Sequence, residues 1–356
     1  MAIYKDILRF TNNNWDARPR TLLEFLNDNQ LTIPDYQRPY SWEEIHVEAL
    51  LKDIEDISST NSDNSQWFLG CFYTSANSVD SELMLLDGQQ RFTTIYLLLI
   101  ISIAHLIESG IRSEKNVEKN EEMLELLSSL LYDIAKNKPK IQLVREIKDS
   151  WSSFMKNSHR LRNCTVDNRK KLQHAIQTFK NESGSIARQK GINSGQRISE
   201  NLDMINRFYK TNFIIAESYK NEEMLLFIDK ALRKLWLIEI PLTADSKSIS
   251  IFEGLNNRGK ALTLSDKLVF KAIRQIKWED NKIAVRSSFY KLISRIERLG
   301  QYFTEDQFWK YYLMSELGKS ITREDFTLKD YVQIFQTPCN DLDSSKEKET
   351  SPIFKL

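Results

Sequence analysis

Residues 83–94, Leu-Met-Leu-Leu-Asp-Gly-Gln-Gln-Arg-Phe-Thr-Thr, combine a short apolar run, a turn and the start of a long apolar stretch. The apolar run over residues 83–86 has the length of a buried strand, although its periodicity would also suit a segment of buried helix. Asp87 and Gly88 are typical of a turn, and a helix is expected from about Phe92. The stretch therefore predicts a strand, a turn and a helix N-terminus in direct succession.

This strand, turn and helix start carries the side chains of an anion site. A helix N-terminus presents unpaired backbone N–H groups and the positive end of the helix dipole. Gly88 allows positive φ or a close approach of a phosphate to the backbone. Arg91 offers a fork of donors for phosphate oxygens, and Thr93 and Thr94 add hydroxyls. Asp87 could orient a Mg²⁺ shell or a water, so the residues suit phosphate binding.

A purely structural interpretation of the same turn competes with phosphate binding. In it, Asp87 is only the N-cap of the helix, Gly88 is only a turn glycine and Arg91 is only a surface cation. Gln89 and Gln90 favour the phosphate site, because two amides beside an apolar strand need polar partners. On these residues alone, both interpretations stay open.

Residues 33–42, Ile-Pro-Asp-Tyr-Gln-Arg-Pro-Tyr-Ser-Trp, form a second cluster that is both aromatic and polar. Two prolines favour an extended backbone, which keeps Tyr36, Gln37 and Arg38 close together. Such a stiff segment can stack a base and hold a phosphate. Alternatively, it is a docking segment that covers the core, with a helix following over residues 43–54.

Residues 252–266, Phe-Glu-Gly-Leu-Asn-Asn-Arg-Gly-Lys-Ala-Leu-Thr-Leu-Ser-Asp, form a third cluster. Its apolar members are typical of a core, whereas Asn256, Arg258 and their polar neighbours crowd a turn that does not need them for packing. A structural hydrogen-bond network of the turn is the alternative to a binding role. We expect one helix before this turn and another after it, with Thr263 or Ser265 as N-cap.

The composition limits the classes of protein to consider. A net charge of +1, from 50 basic and 49 acidic residues, gives no overall field toward nucleic acid or anionic lipid, so any DNA contact must be local. The three cysteines are widely spaced, which predicts neither disulfides nor a metal site and fits the cytoplasm. The most apolar window, residues 95–107, is shorter than the roughly 18 to 20 residues of a membrane span. We expect a soluble protein without a signal peptide or a membrane partner.

Apolar periodicity predicts the other elements of a helix-rich chain with a small N-terminal sheet. Strands are expected over residues 31–33, 67–73 and 235–240, the last ending at Pro241 and rejoining that sheet. Helices are expected over residues 95–107, 117–135, 170–181, 198–209 and 222–235, with two more between 281 and 317, a surface loop over 181–196 and a poorly ordered tail from Pro338. We divide the chain into a nucleotide-binding core (1–110), a helical region (111–234), a strand and helices that return to the core (235–275) and a C-terminal helical region with a flexible tail (276–356).

In their order and separation, the three clusters resemble the N-terminal domain of the GmrS/GmrD-type modification-dependent restriction proteins and their relatives in phosphorothioate-sensing and BREX-associated phage defence. The family pattern is I-P-x-Y-Q-R-x-Y-x-W, then D-G-Q-Q-R-L-T-T, then F-E-x-L-N-x-R-G-x-x-L-T-x-x-D. It stands here at residues 33–42, 87–94 and 252–266, with Phe92 in place of the usual leucine. The resemblance covers roughly residues 20 to 275.

The resemblance implies an α+β fold, in which a small ParB/sulfiredoxin-like mixed sheet core carries a large, mainly helical elaboration. It further implies that the loop binds and hydrolyses a nucleoside triphosphate (GTP, ATP or CTP) with Mg²⁺, without a dedicated set of protein metal ligands. Under this likeness the catalytic residues are Asp87, Gln89, Gln90 and Arg91. The implied nucleotide-binding residues are Tyr36, Gln37, Arg38, Gly88, Thr93, Thr94, Asn256 and Arg258.

The same likeness implies a sensor subunit or domain of an anti-phage restriction system that acts on modified or foreign DNA. Many relatives carry a C-terminal HNH nuclease module, but the four histidines here, at positions 46, 105, 159 and 174, lie far upstream of where it would be. We therefore expect the nuclease in a partner subunit or in a module outside this sequence; a homodimer is also compatible with it.

Two other functions stay open on the sequence. One is a ParB-like DNA-binding or nuclease module that uses no nucleotide. Basic residues at 136–140 and 169–171 could contact DNA phosphates in it, although such runs are usually solvated helix faces. The other is an interaction scaffold whose loop is vestigial.

Overall fold

The computed structural model describes residues 17–33, 40–59, 66–76, 83–142, 148–161, 163–190, 194–242 and 304–317, together with positions 265, 268, 288–289, 291–293 and 295–296. The chain divides into two compact units. The first consists of Met1–Asp35, Tyr40–Gly184 and Ser194–Phe252, and the second of Tyr36–Pro39, Ser185–Asn193 and Glu253–Leu356.

A six-stranded mixed sheet forms the centre of the first unit. Its strands, in spatial order, are β1 (Arg18–Thr21), β10 (Leu235–Leu242), β3 (Trp67–Ala76), β4 (Leu83–Asp87), β2 (Leu31–Thr32) and β7 (Ile141–Gln142). β10 is antiparallel to β1 and parallel to β3, β3 is antiparallel to β4, and β2 is parallel to both β4 and β7. The predicted strands are confirmed, residues 83–86 are strand rather than helix, and β10 does rejoin the N-terminal strands.

Helices make up most of the rest of this unit, so the predicted α+β class is confirmed. They are α1 (Leu22–Asp28), α2 (Glu44–Ser59), α3 (Gln89–Arg112), α4 (Val117–Leu131), α5 (Lys148–Arg160), α6 (Val166–Lys190), α7 (Ser194–Phe213) and α8 (Asn221–Lys234). Two short hairpins, β5 (Tyr132–Asp133) with β6 (Lys138–Pro139) and β8 (Ile214–Ile215) with β9 (Ser218–Tyr219), join them.

α3 is the core helix of the unit. It is apolar on nearly all sides and begins at the end of β4, so it packs against α4, α7 and α8. Its 24 residues are long and apolar enough for a membrane span, unlike the 13-residue window considered in the sequence, but 83% of its most apolar segment is buried inside the protein. Such burial is typical of a core helix of a folded domain.

Several helix ends differ from the predictions, and two of these differences have a clear local reason. α3 begins at Gln89 rather than near Phe92, because Gly88 forms its N-cap and the Phe92 amide donates to the Gly88 carbonyl at 3.0 Å. α4 ends at Leu131 rather than at residue 135, because Tyr132 turns into the hairpin β5–β6.

The predicted surface loop over residues 181–196 is wrong. α6 continues to Lys190 and α7 begins at Ser194. Ser183 is buried, and a Cβ on Gly195 would lie 2.1 Å from the Ser183 carbonyl oxygen, so the backbones of the two helices touch at this point. Asn181, Glu182 and Ser185 are exposed residues of α6, so part of the polar composition that suggested a loop lies on a helix surface.

β10 also runs past its predicted end at Pro241, to Leu242. Pro241 has no N–H to donate, and a proline is tolerated in a strand only where no neighbour needs that donor. The β1 partners of β10 end at Glu239, so along the described residues no β1 partner lies beside Pro241.

The described part of the second unit is helical. Ser265 and Leu268 are buried helical residues, and α9 (Glu305–Leu317) follows within the segment where two helices were predicted. Trp309 donates to the Ser265 hydroxyl at 2.6 Å, while the Ser265 amide donates to Glu305 at 2.8 Å. The predicted Arg258-Gly259-Lys260 turn and the tail from Pro338 lie outside the described residues.

Candidate functional site

The turn between β4 and α3 depends on a glycine. Gly88 has a φ of +98°, in the left-handed region, and donates its amide to Asp87 Oδ1 at 2.8 Å. A Cβ at this position would lie 1.9 Å from the Phe72 ring. The backbone conformation and the contact with this ring therefore both favour glycine over any other residue. No side chain caps the first turn of α3 among the described residues. Asp87 therefore stands beside an uncapped helix N-terminus.

Arg91 is fixed against the backbone of β3. Its Nη1 donates to the Leu69 carbonyl oxygen at 2.8 Å, and its guanidinium carbon lies 5.3 Å from the centre of the Phe72 ring. Gly70 makes room for it, because a Cβ there would lie 2.1 Å from Arg91 Nη1. The guanidinium is held in one place beside the turn, where its other donors are not used by any described residue.

Two β-bulges create the shape of this corner. β10 pairs Trp236 with Phe68 and Leu237 with Gly70, so Leu69 is an extra residue, and its carbonyl is the one that Arg91 binds. β4 has a similar irregularity just before Asp87. Bulges are frequent next to active sites because they redirect the chain locally.

The charge of Arg91 is not neutralised by its neighbours. It forms no ion pair with a carboxylate of the described residues. Cys71 is close by, but burial raises the pKa of its thiol more than Arg91 lowers it, so the thiol stays protonated at neutral pH. Among the described residues Arg91 has no direct ion pair, which leaves its guanidinium open to an anionic ligand.

Gln90 and Thr94 hold the second sequence cluster in place. Gln90 Oε1 accepts from the Ser41 amide at 2.7 Å, and Thr94 Oγ1 lies 2.7 Å from the Tyr40 hydroxyl. Asn201 of α7 donates to the same Tyr40 hydroxyl at 2.8 Å and to the Trp42 carbonyl at 2.9 Å. The end of the aromatic cluster is therefore joined to the first two turns of α3.

Burial keeps this junction neutral. Tyr40 is 1% exposed, and its burial raises the pKa of the hydroxyl to about 12, against opposing hydrogen bonds from Thr94 and Asn201. Gln89 and Gln90 are also buried, at 4% and 8% exposure. The two glutamines thus lie at the base of the turn rather than on its surface.

Two buried hydroxyls in this region have no hydrogen-bond partner within the described ranges. They are Thr93 Oγ1, on the first turn of α3, and Ser41 Oγ, next to the amide bonded by Gln90. A buried hydroxyl without a partner costs free energy, which is why such groups usually serve a ligand or an ordered water. Thr93 and Ser41 are accordingly the two hydroxyls of this region with unused hydrogen-bonding capacity among the described residues.

The structure brings together the loop predicted from the sequence, Asp87 to Arg91, with Thr93 and Thr94. Of these, Gln90 and Thr94 make the contacts to residues 40–42, while Asp87, Arg91 and Thr93 surround the N-terminus of α3. The other predicted residues, Tyr36, Gln37, Arg38, Asn256 and Arg258, lie outside the described residues.

Sequence reasoning missed three contributors. Gly70 and the Leu69 carbonyl hold Arg91, and Asn201 anchors the aromatic cluster from more than 150 residues away in sequence. The glycine in the apolar strand 67–73 was a signal for a bulge. Asn201 gave none, since a single asparagine in an amphipathic helix is not unusual.

The described side chains provide no complete metal site of their own. No group of three or more His, Cys, Asp and Glu residues lies close enough to hold a metal ion there. A cation bound mainly by phosphate oxygens needs only one or two protein ligands, as is usual for Mg²⁺. Asp87 and Thr93 offer oxygen ligands of the right kind.

The sequence was compared with models of known protein families, and one family matches. The family described as the GmrSD restriction endonuclease N-terminal domain matches residues 22–273, which is more than half of the chain and includes both the turn and the β10 strand. The chain belongs to this family. A search of curated proteins found no match. Family membership gives the protein a role in a DNA restriction system.

Proposed function

We propose that the turn from Asp87 to Arg91 binds the phosphates of a nucleoside triphosphate and catalyses its hydrolysis with Mg²⁺, as the sensor part of a restriction system. The observation that carries the proposal is the fixed Arg91 guanidinium beside an uncapped helix N-terminus. Both features attract the same ligand, because dipole and cation act together on a phosphate.

Each residue of the turn has a separate task in this proposal. Gly88 permits the left-handed turn from which α3 begins, and Arg91 binds an oxygen of the terminal phosphate. The interaction of Arg91 with this oxygen stabilises the transition state most, because charge builds up there on the transferred phosphoryl group. The bond to Leu69 prepares the guanidinium in advance, which lowers the cost of ordering it on binding.

Mg²⁺ fits the oxygen ligands of the site. Asp87 and the Thr93 hydroxyl would hold the ion, which would supply charge neutralisation to the bound phosphates. Asp87 has a second task as well, since Oδ1 fixes the Gly88 amide and leaves Oδ2 for the ion or for the attacking water.

The buried glutamines connect the turn with the aromatic cluster. Gln90 holds the Ser41 amide, and Gln37 and Arg38 precede this point by only a few residues in sequence. By the family resemblance, Gln37, Arg38, Asn256 and Arg258 are further nucleotide-binding residues in this proposal. DNA sensing and the partner nuclease would be linked to nucleotide turnover through this segment.

Nucleotide binding is the direct test of the proposal. We expect calorimetry with Mg²⁺ and the β,γ-imido analogues of GTP, ATP and CTP to show binding of at least one of them. Arg91→Ala should weaken it about 10- to 100-fold, the range for one charged hydrogen bond. Arg112→Ala is the matched control, because Arg112 is on the last turn of the same helix and pairs with Glu108. Equal loss in both variants, or no binding by the wild type, would contradict the proposal.

A further inference from the structure

A chain of hydrogen bonds runs from α7 to the first turn of α3. Asn201 Nδ2 lies 2.8 Å from the Tyr40 hydroxyl, which in turn lies 2.7 Å from Thr94 Oγ1. Thr94 Oγ1 lies 3.0 Å from the carbonyl oxygen of Gln90. The three side chains of this chain are at most 1% exposed. Bulk water therefore does not compete for these bonds, and each group depends on its protein partners.

A backbone carbonyl fixes the orientation of the Asn201 amide. The side-chain atom that faces Tyr40 also lies 2.9 Å from the carbonyl oxygen of Trp42, which can only accept a hydrogen bond. This atom is therefore the nitrogen, Nδ2, and its two N–H groups donate to Trp42 and to Tyr40. The Tyr40 hydroxyl accepts from Asn201, so its own proton is left for Thr94.

The remaining steps of the chain follow from the same count of protons. A hydroxyl has one proton to donate, and the Thr94 proton goes to the carbonyl oxygen of Gln90, which can only accept. Thr94 Oγ1 must then accept from Tyr40. Donation therefore runs in one direction, from α7 to the backbone of the turn. Hydrogen bonds in such a chain polarise one another, so each strengthens the next.

The side chain of Gln90 is held by the residue that follows Tyr40. The Ser41 amide donates to Gln90 Oε1 at 2.7 Å, and a backbone N–H can only donate, so the oxygen end of the glutamine amide faces Ser41. The main chain and the side chain of Gln90 are thus both bonded through residues 40–42. Asn201 holds these residues at two points.

Further along the two helices, polar side chains of α3 and α7 meet directly. Ser102 Oγ lies 2.6 Å from the Tyr209 hydroxyl, and His105 Nε2 lies 3.0 Å from Asn206 Oδ1. Beside the turn, by contrast, the Tyr40 hydroxyl bridges the two helices. The polar link from α7 to the first turn of α3 therefore passes through the aromatic cluster.

Asn201 serves this junction as a double donor. Its Oδ1 is buried and has no hydrogen-bond partner among the residues that the structure describes. Both of its bonds need two N–H groups on one nitrogen, which an aspartate of the same shape does not have. The junction thus depends on the amide nitrogen at position 201 and not only on a side chain of that size.

We propose that Asn201 is a positioning residue of the Asp87–Arg91 turn. It sets the direction of the hydrogen-bond chain that fixes Gln90, and with it the start of the helix on which Arg91 is presented. Small displacements of a group that binds the reacting phosphate cost catalysis even when they arise at a distance. The effect on turnover rests on the proposed nucleotide hydrolysis, whereas the mechanical link from α7 to the turn does not.

The test compares Asn201→Ala and Asn201→Asp with the wild type, in the full chain and at a temperature where circular dichroism shows all three folded. The two measurements are hydrogen–deuterium exchange of peptides covering residues 87–99 and kcat/KM for the nucleotide that the wild type hydrolyses fastest. Both variants should exchange faster in these peptides and lose about ten-fold in kcat/KM, because buried partners are left unsatisfied. An effect of side-chain size alone would appear in Asn201→Ala and not in Asn201→Asp.

A double-mutant cycle in kcat/KM tests whether the chain acts as one unit. Its two changes are Asn201→Ala and Thr94→Val, at residues that are linked through the Tyr40 hydroxyl. The double variant should lose little more than the weaker of the two single variants, because either change already interrupts the chain. Two independent losses would multiply instead.

Asn212→Ala is the matched control, because Asn212 is on the last turn of α7 and donates within its own helix, to the Phe208 carbonyl at 3.1 Å. It should leave exchange and turnover at wild-type values. Unchanged exchange around the turn in the Asn201 variants, faster exchange with wild-type turnover, or multiplied losses in the cycle would overturn the proposal. If the wild type hydrolyses no nucleotide, the nucleotide proposal fails, and the exchange measurement alone decides whether Asn201 fixes the turn.

Discussion

Arg91 Nη1 lies 2.8 Å from the carbonyl oxygen of Leu69, the residue of β3 that has no partner in the pairing with β10. A bulge in the sheet and a guanidinium at the start of α3 are therefore parts of one arrangement. Gly70 completes it, because its missing side chain is the space that the guanidinium occupies. The position of the charge depends on backbone features that no other residue at Gly70 would permit.

Replacement of Gly70 by alanine should displace Arg91. The added Cβ would lie 2.1 Å from Nη1, and the φ of +120° is strained for any residue with a Cβ. We expect nucleotide hydrolysis to fall at least ten-fold in Gly70→Ala at a temperature where the protein remains folded. Gly110→Ala is the control for crowding, since a Cβ there would lie 2.5 Å from Cys164 Sγ, on the last turns of α3 rather than at the Asp87–Arg91 turn. A loss of activity in both variants alike would show that only stability had changed.

Gly88→Ala should destabilise the protein more directly. A φ of +98° and a Cβ position 1.9 Å from Phe72 combine backbone strain with overpacking of a buried ring. Each effect typically costs about 1 to 3 kcal/mol, so the free energy of unfolding should fall by at least about 2 kcal/mol. Urea denaturation measures it, and a change below about 0.5 kcal/mol would mean that the turn can adopt another conformation.

The contact between Tyr40 and Thr94 should appear as an energetic coupling. Tyr40→Phe and Thr94→Val each remove one side of a 2.7 Å hydrogen bond between two buried hydroxyls. A double-mutant cycle by urea denaturation should give a coupling free energy of about 0.5 to 1.5 kcal/mol. Additive effects, within about 0.3 kcal/mol, would show that the aromatic cluster is not joined to α3 in solution.

Burial of His105 predicts a loss of stability in mild acid. Burial lowers its pKa to about 4, against a hydrogen bond that its Nε2 donates to Asn206 Oδ1 and the charge of Glu108, which both raise the pKa. The unfolded chain, with an ordinary histidine pKa near 6.5, then binds the proton first. Stability is therefore complete above pH 6.5 and is lost as the pH falls from 6.5 toward 4.

The size of this effect is about 2 kcal/mol between pH 7 and pH 5. We expect the free energy of unfolding of the wild type to fall by that amount more than the value for His105→Gln, which has no titrating ring. Parallel pH profiles for the two proteins would contradict the assignment.

The parts of the fold that depend on local interactions were predictable from the sequence, and the parts that depend on contacts between distant residues were not. Residues 83–94 predicted strand, turn and helix correctly because apolar periodicity and a glycine turn are local signals. The continuation of α6 past residue 181 was missed, because it depends on the close packing of Gly195 against Ser183. β10 was expected to end at Pro241, since only the length of β1 shows that the proline has no partner on the β1 side, while it pairs with Thr74 of β3 on the other.

In the candidate site, too, some residues could be predicted from the sequence and others could not. The residues that present chemistry, such as Asp87 and Arg91, were recognisable from their types and from the helix start. The groups that position them were not, since the Leu69 carbonyl and Asn201 act through distant contacts in three dimensions. The role of Gln90 in holding Ser41 also became visible only when both residues were placed.

Hydrolysis of nucleotide by the purified chain is the most direct test of the central claim. The measurement is phosphate release from GTP, ATP and CTP with Mg²⁺, with and without phage DNA, for the wild type, Arg91→Ala and Arg112→Ala. We predict turnover of at least one nucleotide by the wild type and by Arg112→Ala, with a loss of about 100-fold in Arg91→Ala, the usual effect of removing one donor to developing charge. Wild-type rates in Arg91→Ala, or no release from any nucleotide under any of these conditions, would contradict it.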